Sequence, residues 1–201
     1  MPDDLSMQLA AVRDRLVPAP RLADADRDAR RQAAVATIVR PVASGAGLEL
    51  LLILRADREG DVWSGQVGLP GGRREDADAD LIATAVREVH EEVGVDLGDG
   101  ELLGALPRLE PMNPALPPIS VQPFVWLVDG ECSPSTSDEV AAVTWVSIDH
   151  LRDEANALEH RFRTPDGNER AMPAIHVGQV VPLWGMTHRI VDTLLVALDR
   201  G

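Results

Sequence analysis

The sequence predicts an α+β chain or a mixed-sheet sandwich. Three observations predict it. Apolar runs of strand length stand at 34–40 (AVATIVR), 48–55 (LELLLILR), 119–128 and 140–147. Apolar stripes at helical spacing stand at 4–17, 79–93 and 187–198. The two kinds of segment are mixed without a regular βαβ alternation, as an α+β or mixed-sheet architecture requires.

In chain order, Leu5, Leu9, Val12 and Leu16 recur at i, i+4, i+7 and i+11, the spacing of an amphipathic helix over 4–17. Pro18 and Pro20 end it, and a charged stretch runs from Asp24 to Arg31. Residues 1–32 are therefore expected to be an N-terminal helix and arm. That helix packs on the domain or on a partner subunit, which leaves a homodimer open. Ser44-Gly45-Ala46-Gly47 reads as a turn between the first two strands. After a polar loop at 56–64, residues 65–72 read as a short strand ending in a Pro-Gly-Gly turn. The helix at 79–93 has Asp78 or Asp80 to cap its start and Gly94 where a left-handed glycine ends a helix. Strands follow near 101–109, 119–128 and 140–147, with a proline-rich loop at 111–118. Residues 148–158 read as a short helix, 160–172 as a hairpin around Pro165-Asp166-Gly167, and 187–198 as the closing helix.

The length of 201 residues fits one domain, large enough to bury a core without a disulfide or metal staple. The single cysteine, Cys132, cannot form an internal disulfide and predicts a reducing compartment. It also excludes zinc held by a cysteine cluster. A net charge of −14 argues against nucleic acid or an anionic membrane as the partner. The N-terminus lacks a signal-peptide pattern, and the most apolar run, Leu50 to Leu54, is far too short to span a bilayer. The expectation is a soluble, cytoplasmic protein. His90, His150, His160, His176 and His188 have no metal-ligand spacing, and Cys132 has no paired histidine motif that would make it a nucleophile.

The chemistry concentrates on the helix at 79–93. With Glu88 at 0° on a helical wheel, Glu92 lies near about 40° and Glu91 near about −60°. Ile82, Val86, Val89 and Val93 fall between about 100° and 160°, a separate stripe for the core. Three carboxylates on one arc repel, and the negative end of the helix dipole adds to the penalty. A hard divalent cation, Mg²⁺ or Mn²⁺, reverses both effects. A solvated acidic face is the alternative. The preceding Pro70-Gly71-Gly72 lets the backbone approach a ligand closely, and a carbonyl there can complete a metal shell.

These residues resemble the Nudix hydrolases, whose box reads G-x5-E-x7-R-E-U-x-E-E-x-G-U with U aliphatic. Arg87-Glu88-Val89-His90-Glu91-Glu92-Val93-Gly94-Val95 matches the second half at every specified place. The first half is one residue longer, with 14 residues between Gly72 and Arg87, and lacks the middle glutamate. Gly71-Gly72-Arg73-Arg74-Glu75-Asp76-Ala77-Asp78 is instead similar to the GG-x-x-[DE]-x-x-D stretch of the coenzyme A pyrophosphatase branch. Leu51 to Ala56 resembles that branch's L-L-x-x-R-[SA] signature. Leu69 stands where the branch has Phe, Gly60 where it has Arg, and Trp63 where a His is common. Downstream, Val121 to Val125, Ser137 to Val146 and Trp184 to Thr187 resemble its V-x-P-F-V, S-x-E-V…W-V and W-G-x-T elements.

The resemblance implies a Nudix-type α/β/α sandwich over 33–201 and a metal-dependent cleavage of a nucleoside diphosphate linked to another group. Coenzyme A or its derivatives come first as substrate, giving 3′-phospho-ADP and 4′-phosphopantetheine. ADP-ribose, nucleotide sugars or dinucleoside polyphosphates are the alternative, and a non-catalytic nucleotide-binding regulatory module is the alternative of another class. Glu88 and Glu92 are the implied ligands of Mg²⁺ or Mn²⁺, with Glu91 third and the Gly72 carbonyl a further one. Arg87 is implied to orient a box glutamate. Glu91, or else Glu139, is implied as the base. Arg55, Arg58, Arg73 and Arg74 flank the site and suit phosphate contact, and Trp63 suits stacking on a base.

Overall fold

The structure, a computed structural model, describes residues 4–18, 32–43, 47–61, 63–112, 118–129, 131–163 and 167–199. A seven-stranded mixed sheet forms the middle layer. Its strands are β1 (Gln32–Pro41), β2 (Leu48–Arg55), β3 (Val67–Gly68), β4 (Gly71–Arg73), β5 (Glu101–Ala105), β6 (Ser120–Leu127) and β7 (Val140–Ser147). Helix α2 (Leu81–Val93) covers one face, and α1 (Asp4–Arg15), α3 (Ile148–Arg152) and α4 (Gly185–Leu198) cover the other. A smaller sheet of β8 (Ala157–Arg163), β9 (Glu169–Ile175) and β10 (Leu183–Trp184) lies beside them. This is the α+β sandwich that the sequence predicts. Among the described residues no helix is long and apolar enough to cross a membrane.

The period of two along a strand explains why both faces are apolar. Ala34, Ala36 and Ile38 of β1, Leu51 and Ile53 of β2, and Phe124 and Trp126 of β6 meet Leu81, Ala85, Val89 and Val93 of α2. The neighbours in the other phase, Val39, Leu50, Leu52 and Val125, meet Ile190, Val191, Leu194 and Leu198 of α4. Val12 of α1 and Leu16 just beyond its end join this second core, so the N-terminal helix is packed within the same chain. Alanines on β1 leave little side chain between sheet and α2, which brings the helix close to the backbone.

The feature that builds the site is a split between β1 and β2. The two strands pair only from Val39↔Leu50 to Pro41↔Leu48. Beyond that they diverge, and the segment from β3 to β4 fills the gap. Ile53 and Leu54 of β2 pair with β3, and Ala33 to Val35 of β1 pair with β4. Between them the Pro70 carbonyl accepts the Ala36 N–H at 2.8 Å. The Pro-Gly-Gly segment is therefore not the expected turn. Long-range pairing with β1 makes Gly71 and Gly72 part of a strand.

Other local expectations met or missed their marks for physical reasons. Asp80, not Asp78, caps α2 through the Ala83 N–H, and Gly94 takes the left-handed conformation (φ 68°) at its end. The helix expected at 148–158 stops at Arg152, because Asp153 caps a new short 3-10 turn at Glu154–Asn156 and β8 then begins. The hairpin of β8 and β9 is present. Its expected turn at Pro165 and Asp166, the Ser44 to Ala46 turn, the charged stretch at Asp24 to Arg31 and the centre of the proline-rich loop lie outside the described residues.

Gly71 has φ 147°, and a Cβ there would collide with the Ala34 carbonyl and the Val35 backbone. Gly71→Ala is expected to cost about 3 kcal/mol or more, read as a lower urea midpoint. A midpoint equal to that of the wild type would show that β4 does not need this glycine.

Candidate active site

The loop between β4 and α2 is organised by one ion pair. Arg87 donates from Nε to Asp78 Oδ1 and from Nη2 to Asp78 Oδ2, both at 3.0 Å. The same guanidinium reaches the Arg73 carbonyl at 3.0 Å, Glu88 Oε1 at 3.1 Å and Glu91 Oε2 at 3.0 Å. Asp78 is buried and also accepts the Thr84 hydroxyl and the Glu75 N–H, both at 2.9 Å. The Arg87 hydrogen bonds hold the Asp78 carboxyl down at about 2, outweighing burial. Arg87 thus ties the end of β4 and the loop to the helix that carries the glutamates. Arg74 reinforces the same loop through Gln32 and the carbonyls of Asp78 and Ala79.

The three glutamates do not share one solvent face. Side-chain exposure is 3% for Glu92, 16% for Glu88 and 57% for Glu91. Leu81 and Ala85 fall on the wheel at about 20° and 60°, on either side of Glu92, and both are buried. The buried face therefore runs through the Glu88 and Glu92 line. Val89 and Val93 are buried as expected, whereas Ile82 and Val86 are half-buried. Glu92 Oε2 accepts the Gly71 N–H at 2.8 Å, and Glu92 Oε1 stands 3.7 Å from Arg55 Nη1. Burial pushes the Glu92 carboxyl up to about 7 despite those two partners. Burial raises Glu88 as well, against the pull of Arg87. Any Cβ on Gly72 would collide with the Glu88 carboxylate. The glycine is what lets the β4 backbone and that carboxylate occupy adjoining space.

A cleft of about 360 Å³ opens over this floor. Its polar lining is Arg55, Asp61, Gly72, Arg73, Glu88, Glu92 and Glu139. Its apolar lining includes Ala33, Ile119 and Val121, packed against Val35, Trp63 and Met186. Arg55 donates from Nη2 to Asp61 Oδ2 at 2.9 Å, and its Nε is buried without a hydrogen-bond partner. Arg58 pairs with Glu139 at 3.0 Å and reaches the cleft only through it.

The fold thus brings Arg55, Trp63, Gly72, Arg73, Glu88, Glu92 and Glu139 to one cleft. It does not bring Arg74, whose guanidinium is bound to protein groups beneath the loop. Glu91 is exposed, engaged by Arg87 and absent from the cleft lining. Asp61 and the α4 residues Met186 and Thr187 line the cleft without having been singled out from sequence. Nothing local marks Asp61, an acid in a polar loop. Thr187 was legible only as part of the Trp184 to Thr187 motif.

Two desolvated glutamates late in α2 thus stand against a glycine strand inside a mixed-sheet sandwich. The NUDIX domain matches residues 30–165, and the chain belongs to the Nudix family, hydrolases of pyrophosphate bonds. The human mitochondrial coenzyme A diphosphatase NUDT8 is similar at 29% identity over 182 residues, 90% of this chain and 76% of that protein. The Nudix hydrolase NudL of Citrobacter koseri is 38% identical over 115 residues, 57% of this chain and 56% of that protein. Among solved structures, a MutT/nudix family protein from Enterococcus faecalis has a TM-score of 0.59 at 13% identity, covering 100% of this chain and 76% of that one. The NUDIX domain of Shewanella oneidensis NrtR, complexed with ADP ribose, has a TM-score of 0.58 at 18% identity, covering 90% of this chain and 97% of that one. Those two likenesses show the shared fold.

The two carboxyls predict opposite pH responses in chelator-treated protein. Asp78 titrates lower in the fold than its ordinary 3.8. It therefore stabilises by about 2 kcal/mol above roughly pH 4, and this is lost as pH falls toward about 2. Asp78→Asn is expected to flatten that acid limb in urea unfolding. Glu92 titrates higher than its ordinary 4.5. Stability therefore falls by roughly 3 kcal/mol as pH rises from about 4.5 through about 7. Glu92→Gln is expected to remove this decline; an unchanged slope would mean that the carboxyl is not desolvated in solution.

Proposed function

We propose that this Nudix hydrolase cleaves the diphosphate of coenzyme A or its derivatives with Mg²⁺ or Mn²⁺, releasing 3′-phospho-ADP and 4′-phosphopantetheine. The observation that carries the reading is the desolvated Glu88 and Glu92 pair set against Gly72 on the cleft floor. Among the described residues no three His, Cys, Asp or Glu side chains form a ready-made metal cage. Two carboxylates and a backbone carbonyl are what a hard cation needs when substrate phosphates complete its shell. Glu88 and Glu92 would hold such an ion, with the Gly72 carbonyl as a further donor. Bound there, it would neutralise diphosphate charge and acidify water.

The other groups act on substrate and proton. Glu139 takes the base role in preference to Glu91, because Glu139 lines the cleft. Water loses a proton to Glu139 as its oxygen attacks phosphorus, and the bridging P–O bond breaks. Arg73 lines the cleft with no carboxylate partner among the described residues and faces substrate phosphate with Arg55. Arg87 positions Glu88 and the loop. The apolar lining suits an adenine or a pantetheine arm beside the diphosphate. Similarity to NUDT8 over 90% of this chain supports coenzyme A as the first choice.

One observation favours the second reading, a diphosphate without a 3′-phosphate such as ADP-ribose, a nucleotide sugar or a dinucleoside polyphosphate. Among the described residues, Arg55 and Arg73 are the guanidiniums that line the cleft, and Arg55 is already shared by Asp61 and Glu92. The presence of Glu88, Glu91 and Glu92 supports an enzyme over a non-catalytic nucleotide-binding module.

A substrate panel with Mg²⁺ and Mn²⁺, read by mass spectrometry, separates the readings. Release of 3′-phospho-ADP from coenzyme A is expected; cleavage of ADP-ribose or nucleotide sugars alone would establish the second. Glu88→Gln and Glu92→Gln are each expected to cut turnover by about 100-fold or more while the far-UV circular dichroism stays native. Unchanged turnover in both would refute the site assignment.

A further inference from the structure

We propose that Asp61 is a positioning residue that holds Arg55 off Glu92, keeping Glu92 Oε1 open to a divalent cation. The inference rests on the ion site of the proposed function and goes beyond it, because it concerns what competes with the ion.

Arg55 ends β2 at the rim of the split between β1 and β2, and its guanidinium stands between two carboxylates. Asp61 Oδ2 accepts its Nη2–H at 2.9 Å, while Nη1 lies 3.7 Å from Glu92 Oε1. The first contact is a hydrogen bond and the second is only a near approach. The nearer acid therefore fixes the arginine, and the buried acid keeps one oxygen with an ion-pair approach but no hydrogen bond.

Asp61 is well placed to hold its ground. It sits in a loop closed by its own hydrogen bonds. Asp61 Oδ1 accepts the Trp63 N–H at 3.0 Å, the Asp61 carbonyl accepts the Ser64 N–H at 3.1 Å, and Ser64 Oγ accepts the Arg58 N–H at 2.7 Å. Arg55 and Gln66 close the base of this loop at 3.0 Å. The carboxylate is thus fixed from the backbone, and the flexible arginine follows it.

Without the Asp61 charge, the strongest attraction left to Arg55 is the desolvated Glu92 carboxylate. A guanidinium closing on Oε1 would occupy the oxygen a cation needs, and two cations at one carboxylate repel strongly in a site shielded from water. Asp61 therefore affects metal affinity through Arg55 rather than through its own distant charge.

Mn²⁺ binding to the full chain without substrate, followed by electron paramagnetic resonance at fixed ionic strength, tests this in a double-mutant cycle. Asp61→Asn is expected to weaken Mn²⁺ binding about fivefold, and Asp61→Glu to keep affinity within about twofold. Arg55→Gln, which does not depend on how the Asp61 variants fold, is expected to tighten binding by removing the competing charge. In the Arg55→Gln background Asp61→Asn should have no further effect. If Asp61→Asn weakens binding by the same factor with or without Arg55, Asp61 acts only as a remote charge and the inference fails while the ion site stands. If Mn²⁺ does not bind the wild type at all, both the ion site and this inference fall.

Discussion

A buried carboxylate meets a strand amide at the centre of this protein. Glu92 is almost fully enclosed, and its hydrogen bond to Gly71 N–H joins the end of α2 to β4. Burial disfavours its charge, and one hydrogen bond with a nearby guanidinium does not fully offset that cost. The fold therefore holds a carboxyl whose charge the protein alone does not fully satisfy, which is where the proposed cation would bind. Several other features exist to keep that position in place. The strands β1 and β2 diverge so that β4 can enter. Gly71 accepts a backbone conformation closed to other residues, and Gly72 leaves room for Glu88. Asp78 and Arg87 hold the connecting loop so that helix and strand arrive together.

The two core layers explain why this position is rigid. On the α2 side, small alanines of β1 bring the helix down onto the sheet. On the other side, α4 and α1 share a continuous core with the sheet, so the strands beneath the site are packed from both faces. The N-terminus of α4 then supplies Met186 and Thr187 to the cleft wall. One wall of the substrate space is thus an extension of the core, and its chemistry is apolar for that reason. The charged lining gathers where the strand split admits β4 against α2.

Much of this was legible in the sequence where local rules decide. The strands at Leu48–Arg55 and Val140–Ser147 fall where their apolar runs end, and Asp80 and Gly94 bracket α2 as caps. Glu88 and Glu92 of the motif from Arg87 to Val95 line the cleft. What the sequence left open depends on contacts far along the chain. Pro70 to Gly72 read as a turn because nothing near it reveals β1 as its partner. The burial of Glu92 was not legible, because a wheel of one helix cannot show that the sheet lies against Leu81 and Ala85. Arg74 and Arg73 are adjacent in sequence, yet strand alternation turns them to different duties. Asp61 carries no local signal at all; its partner Arg55 becomes visible only when the loop folds back.

Anomalous diffraction from Mn²⁺-soaked crystals would locate the ion. A peak is expected between the carboxylates of Glu88 and Glu92 and the Gly72 carbonyl. A second acidic hollow lies beyond the end of α2, lined by Asp96, Asp99, Asp129 and Glu131. A peak there, with none at Glu88 and Glu92, would contradict the account.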